Sequence, residues 1–127
     1  MFENAQGAAV IAAKDLGRAR EFYEGVLGLA PEPTPSEDDA IFYRLAGVPL
    51  MVYVTSYAGT AQNTVFAIDT DDLERDMAAL RAKGVVFMDY DFPGLKTVDG
   101  IAELGTERSA WFADSEGNLL ALGQRKS

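Results

Sequence analysis

The sequence predicts an α+β domain made of two tandem β-α-β-β-β units, and three observations predict it. First, a strand-like apolar run, a helix and a hairpin follow one another twice in the same order. Second, the two copies match residue on residue. Ala8 with Asp15-Leu16 returns as Val65 with Asp72-Leu73, and Gly47-Val48-Pro49-Leu50-Met51 returns as Gly117-Asn118-Leu119-Leu120-Ala121. Third, 127 residues of which 48% are hydrophobic can bury one core without disulfide or metal staples. A single domain over 1–127 is expected, with units at about 5–56 and 62–125.

The elements follow from local chemistry. Residues 7 to 13, Gly-Ala-Ala-Val-Ile-Ala-Ala, form a nearly continuous apolar run that reads as a strand buried on both faces. Asp15 is a good N-cap, Leu16, Ala19, Tyr23, Val26 and Leu27 recur at helical spacing, and Gly28 suits the left-handed position after a helix. Pro31 to Asp39 is turn-rich and polar, hence a loop or a poor edge strand. Ile41 to Leu45 and Leu50 to Thr55 are β-prone and joined through Ala46-Gly47-Val48-Pro49, a hairpin. In the second copy Thr64 to Asp69 is a strand, and Asp71 with Glu74 resembles a capping box. Leu73, Met77 and Leu80 mark one helix face, and Gly84 ends the helix. Val85 to Asp91 is a weaker strand, Leu95 to Gly105 an inserted loop, and Ala110 to Ala113 and Leu119 to Gly123 the last strands around Asp114-Ser115-Glu116-Gly117-Asn118.

Composition excludes several functions. There is no histidine and no cysteine, so zinc, nickel and copper lack their usual imidazole and thiolate ligands, and no thiol nucleophile exists. The formal charge of −9 repels nucleic acid and anionic lipid and attracts cations. Part of that charge is local, with Glu32, Glu37, Asp38 and Asp39 in one loop and Asp69, Asp71 and Asp72 before a helix. No stretch approaches the roughly 20 apolar residues of a membrane span, and no secretory pattern opens the chain, so a cytoplasmic protein without nucleic-acid or membrane partners is expected.

Two segments carry a family resemblance: Lys14-Asp15-Leu16-Gly17-Arg18-Ala19-Arg20-Glu21-Phe22-Tyr23-Glu24-Gly25-Val26-Leu27-Gly28-Leu29, and Ala110-Trp111-Phe112-Ala113-Asp114-Ser115-Glu116-Gly117-Asn118-Leu119-Leu120-Ala121-Leu122. With the internal repeat they make the chain resemble the vicinal oxygen chelate superfamily of glyoxalase I, extradiol dioxygenases and bleomycin resistance proteins. The resemblance implies a curved mixed sheet with helices on its convex side, a concave pocket, and a homodimer. It also implies where metal-dependent relatives place their ligands: at Ala8, seven residues before the Asp that opens the helix; at its repeat equivalent Val65, or Thr64 if the register slips by one; and at Ala121 and its counterpart Met51. None of these is His or Glu. No metal and no other cofactor is therefore expected, although Asp89, Asp91, Asp99 and Glu103 are oxygen ligands of the kind Mg²⁺ or Ca²⁺ accepts.

If position 8 faces the pocket, strand alternation puts Ala8, Val10 and Ala12 on its wall with Met51 and Tyr53. Val65, Ala67 and Asp69 follow from the repeat, as do Leu119 and Ala121. Trp111 either stacks on a flat ligand or fills the core or the subunit contact, Tyr43 is equally open, and Phe92-Pro93-Gly94-Leu95-Lys96-Thr97 is a lid or plain coil. Such a lining suits an apolar, aromatic or cationic small molecule. Three functions compete: metal-independent sequestration of that compound, a metal-independent isomerase or lyase using Asp69 or Tyr53, and a non-catalytic accessory dimer whose pocket has closed.

Overall fold

The computed structural model describes residues 1–33 and 39–126, so the middle of the polar loop, with Glu37 and Asp38, lies outside the described residues. The first unit opens with β1 (Ala9–Ala13), which pairs in parallel with β3 (Val48–Val54); β3 pairs antiparallel with β2 (Ala40–Leu45). The hairpin between β2 and β3 is tighter than the sequence suggests. Leu45 pairs with Val48, leaving the two-residue turn Ala46-Gly47 with φ of 51° and 81°. Positive φ at both positions is the type I′ geometry that matches the twist of paired strands.

Between β1 and β2 runs α1 (Leu16–Arg20), capped by the Asp15 carboxylate, which accepts from the Arg18 amide at 3.0 Å. Its continuation, Glu21–Val26, widens into a π-helical turn closed by the Leu27 amide donating to the Phe22 carbonyl at 3.0 Å. Gly28 follows at φ 74°, in the left-handed region.

The second unit repeats the order. β4 (Thr64–Asp69) pairs in parallel with β9 (Leu119–Arg125), and β9 pairs antiparallel with β8 (Glu107–Ala113). α2 spans Leu73–Ala82, and its N-cap is Asp72, which accepts from the Arg75 amide at 3.0 Å. The N-cap is thus one residue later than a capping box of Asp71 and Glu74 requires, Arg75 at the third helical position completes no such box, and Asp71 instead pairs with Arg75 at 2.7 Å.

The inserted segment is not a loop. It folds into β6 (Leu95–Val98) and β7 (Ile101–Glu103), which extend the sheet beyond β8. Asp99 and Gly100, at φ of 53° and 82°, close that hairpin. The strand expected over Val85 to Asp91 survives as one bridge, Phe87 to Phe112, and the short β5 (Asp91–Phe92) paired with β6.

Alternation along the strands divides each sheet into a closed and an open face. On the closed face Ile11, Val52 and Ile41 stand directly across the ladder and are at most 5% exposed. Phe66, Leu120 and Phe112 form the equivalent row in the second unit. These rows join Ala19 and Tyr23 from the first helix and Leu73 and Met77 from α2 in one buried cluster. Tyr23 and Tyr43 stack within it at 5.9 Å, so Tyr43 is a core residue whose hydroxyl donates to Glu24, not a pocket residue. No helix of the described residues is long and apolar enough to cross a membrane.

Candidate ligand-binding face

The open faces carry most residues that sequence alternation predicts. In the first sheet Val10, Met51 and Phe42 form one cross-strand row, and Ala12, Tyr53 and Ala40 the next. Val10 is 53% exposed and Tyr53 38%, values that a packed strand interior does not show. In the second sheet Ala67, Ala121 and Trp111 form a row, as do Thr64, Leu119 and Ala113. A bulge between Thr64 and Phe66 sets Thr64, rather than Val65, opposite Leu119, while Val65 packs against the buried cluster. Ala8 lies just before β1 and is exposed.

Trp111 is half-buried on the open face. The ring of Tyr90 meets it edge-on at 5.7 Å, and Phe92 adjoins Tyr90 at 5.6 Å. Asp69 and Tyr53 belong to different sheets, and among the described residues no hydrogen bond joins them. Phe92 to Thr97, which sequence leaves as a lid or plain coil, lies in the β5–β6 hairpin. Phe92, Leu95, Lys96 and Val98 border a 630 Å³ concavity shared with Arg108, on the side of the sheet from which Arg108 reaches Glu74 of α2 at 2.8 Å. Two further concavities are lined in part by open-face residues, Ala113 of the second sheet and Phe42 of the first. One of 450 Å³ runs between Phe22, Val26 and Val85, and one of 370 Å³ lies beside Ala8, Phe42 and Arg44.

The donor set does not fit the metal centre of metal-dependent relatives. Ala8, Met51 and Ala121 offer no oxygen or nitrogen side-chain ligand, and the bulge supplies only the Thr64 hydroxyl. The four carboxylates considered for a hard cation do not converge either. Asp89 accepts from Thr97, Glu103 pairs with Arg108 and Lys126, and no group of three His, Cys, Asp or Glu residues able to hold a metal occurs among the described residues.

Sequence reasoning treated Asp114 to Asn118 as an ordinary turn, yet it is the clasp that fixes the two units. The Glu116 side chain, fully buried, accepts from the Lys14 and Asp15 amides at 2.9 and 3.0 Å and from Arg18 Nε at 2.7 Å. Asn118 Nδ2 donates to the Ala12 carbonyl at 2.8 Å. The run Asp-x-Glu-Gly-Asn, two acids and an amide around a glycine, was the available signal. It holds β1, whose open face carries Val10 and Ala12, at a fixed place beside the second unit.

Fold and face together define a class: a duplicated α+β module with its helices on one side and an uncovered, largely apolar sheet surface on the other. The sequence profile of the Glyoxalase/Bleomycin resistance protein/Dioxygenase superfamily matches residues 5–122, and the chain belongs to that superfamily. No curated protein matches it by sequence. Among solved structures it is similar to a glyoxalase/bleomycin resistance protein/dioxygenase from Alicyclobacillus acidocaldarius, at 19% identity and a TM-score of 0.70, covering 98% of this chain and 93% of that one. It is also similar to the fosfomycin resistance protein FosX of Listeria monocytogenes, at 18% identity and a TM-score of 0.67, covering 96% and 93%. A third is TnmS3, an antibiotic binding protein from Streptomyces sp. CB03234, at 20% identity and a TM-score of 0.63, covering 95% and 97%.

Proposed function

We propose that the chain binds an apolar, aromatic or cationic small molecule on its open face, without a metal, and sequesters it. The observation that carries this reading is the row Ala67-Ala121-Trp111. Two alanines beside an indole on an uncovered sheet leave a slot one side chain deep, into which a flat ring fits against Trp111. The absence of His and Cys from the whole sequence supports metal independence, and the fold shared with TnmS3, described as an antibiotic binding protein, supports binding over turnover. No hydrogen bond joins Asp69 to Tyr53 among the described residues, which gives an acid-base pair made of those two no support. The working form is a cytoplasmic homodimer, and light scattering at micromolar concentration that returns a mass near 13.7 kDa overturns the dimer.

The test is thermal denaturation of the metal-free protein against divalent ions, planar aromatic natural products and cationic glycopeptides. A ligand at about 100 times its dissociation constant stabilises by roughly 2.7 kcal/mol. A rise with an organic compound and none with metals is expected. A rise with a divalent ion overturns the metal-free reading.

A further inference from the structure

We infer that the open face of the second sheet contains a recess for an organic ammonium group, charged by Asp69 and Glu107, with the Ser109 hydroxyl as a third acceptor and Trp111 beside the ligand's body. The inference rests on the binding reading above and specifies the charged part of its ligand.

Ser109, Gly123 and Asp69 stand directly across the ladder from one another in β8, β9 and β4, one row from Trp111, Ala121 and Ala67. Gly123 has no side chain to fill the middle of that row. A Cβ placed on it would stand 3.4 Å from Ser109 Oγ and 3.5 Å from both Glu107 Oε2 and the Arg108 carbonyl oxygen, so a hydroxyl and a carboxylate border the glycine, and Asp69 is its ladder partner on the other strand.

None of the three groups is used by the protein itself. Glu24, Asp71, Glu74, Asp76, Glu103 and Glu116 are all tied to arginines, but no hydrogen bond or ion pair engages Asp69 or Glu107 among the described residues. Arg125 is paired across the ladder with Glu107, yet no ion pair joins them. Ser109 is only 5% exposed, and no described residue hydrogen-bonds its hydroxyl. Every described side-chain oxygen or nitrogen shut off from solvent has a partner, so the Ser109 hydroxyl opens onto the recess. A ligand N–H that reaches this hydroxyl meets an acceptor with no partner among the described residues.

Three acceptors match the three N–H donors of a primary ammonium, and the rings of Trp111 and Tyr90 favour a cation over a neutral group. Two carboxylates without a third make a poor cage for a divalent ion. The net charge of −9 draws a cation toward the face from a distance.

Trp111 is the only tryptophan, so its fluorescence reports on the recess directly. Phenethylammonium, neutral 2-phenylethanol and anionic 3-phenylpropanoate are titrated against the protein, with calcium chloride as a fourth probe. The cation is expected to bind about tenfold or more tighter than the alcohol, and the anion more weakly than either. Asp69→Asn and Glu107→Gln are each expected to bring the cation to the alcohol's affinity while leaving the alcohol unchanged. Gly123→Val, which fills the recess, removes the preference without touching either carboxylate, should a charge variant misfold. Equal binding of cation and alcohol by the unmodified protein overturns the recess and leaves the apolar face standing. A cation preference that survives both charge variants, or calcium that displaces the cation, also overturns it. No response of Trp111 to any of the three organic probes overturns both readings.

Discussion

Tyr23 donates its phenolic hydrogen bond to Asp114 at 2.5 Å, joining the helix of the first unit to the last turn of the second across 91 residues of sequence. Burial, and then the Asp114 charge, push the phenol far above its ordinary range, so it remains a donor at every accessible pH. The carboxylate also accepts from the Glu116 and Asn118 amides and from Asn118 Nδ2, each at 2.8 Å. Tyr23→Phe removes one of these donors while keeping the ring packed on Tyr43. It is expected to cost about 2 kcal/mol, the value of a hydrogen bond to a charged group, read from urea unfolding with an unchanged m-value.

Glu116 carries the acid sensitivity of the same clasp. Arg18 foremost, and then the amides of Asp15 and Lys14 with the Ser115 hydroxyl, hold its carboxyl at about 2 against an ordinary 4.5, outweighing the opposing effect of burial. A carboxyl held low in the folded state contributes its full stability above the unfolded value and loses it as the pH falls. Unfolding midpoints are therefore expected to drop between about pH 4.5 and pH 2. Glu116→Gln lowers stability at pH 7 by about 1 to 3 kcal/mol and flattens that slope relative to the parent protein. Asp76, Glu74 and Glu103, also held low, are common to both proteins and cancel in the comparison.

Ala46 occupies a left-handed position, φ 51°, in a two-residue turn that favours Asn-Gly. Ala46→Asn is expected to stabilise by about 1 kcal/mol, raising the melting temperature by about 4 °C in calorimetry. Gly47→Ala, at φ 81°, is expected to shift it downward by a similar amount.

Gly59 touches the clasp from the linker between the units. At φ 75°, a Cβ there would meet the Glu116 carbonyl oxygen at 2.8 Å, closer than real Cβ atoms come. Gly59→Ala is expected to cost about 2 kcal/mol or more in urea unfolding, a larger loss than alanine causes at Gly105, where nothing lies within 4 Å.

Ala121→Phe would fill the slot beside Trp111 from the open side, where no helix packs. Binding of any aromatic ligand is expected to weaken at least about tenfold in a fluorescence titration, while stability without ligand stays within about 1 kcal/mol because the ring projects outward.

Much of this was legible in the residues. Asp15, Gly28 and Gly84 punctuate the helices as their chemistry requires, and the alternation of Val10, Met51, Ala67 and Ala121 sorts the strands into faces. What escaped depended on partners distant in sequence. Leu95 to Gly105 reads as a loop because its strands are three or four residues long and are held by pairing, β6 with β5 and β7, and β7 in turn with β8. The bulge that exchanges Thr64 for Val65 leaves no local mark. The recess over Gly123 has none either: Asp69 was visible as a lone carboxylate, but Glu107 and Ser109 join it only once β8 and β4 lie on either side of β9.

Two amides at the start of the first helix, those of Lys14 and Asp15, find their side-chain acceptor in Glu116, 102 and 101 residues further on. The later copy thus supplies an acceptor that the earlier copy's helix entry lacks: a first unit standing alone would leave the Lys14 and Asp15 amides to water.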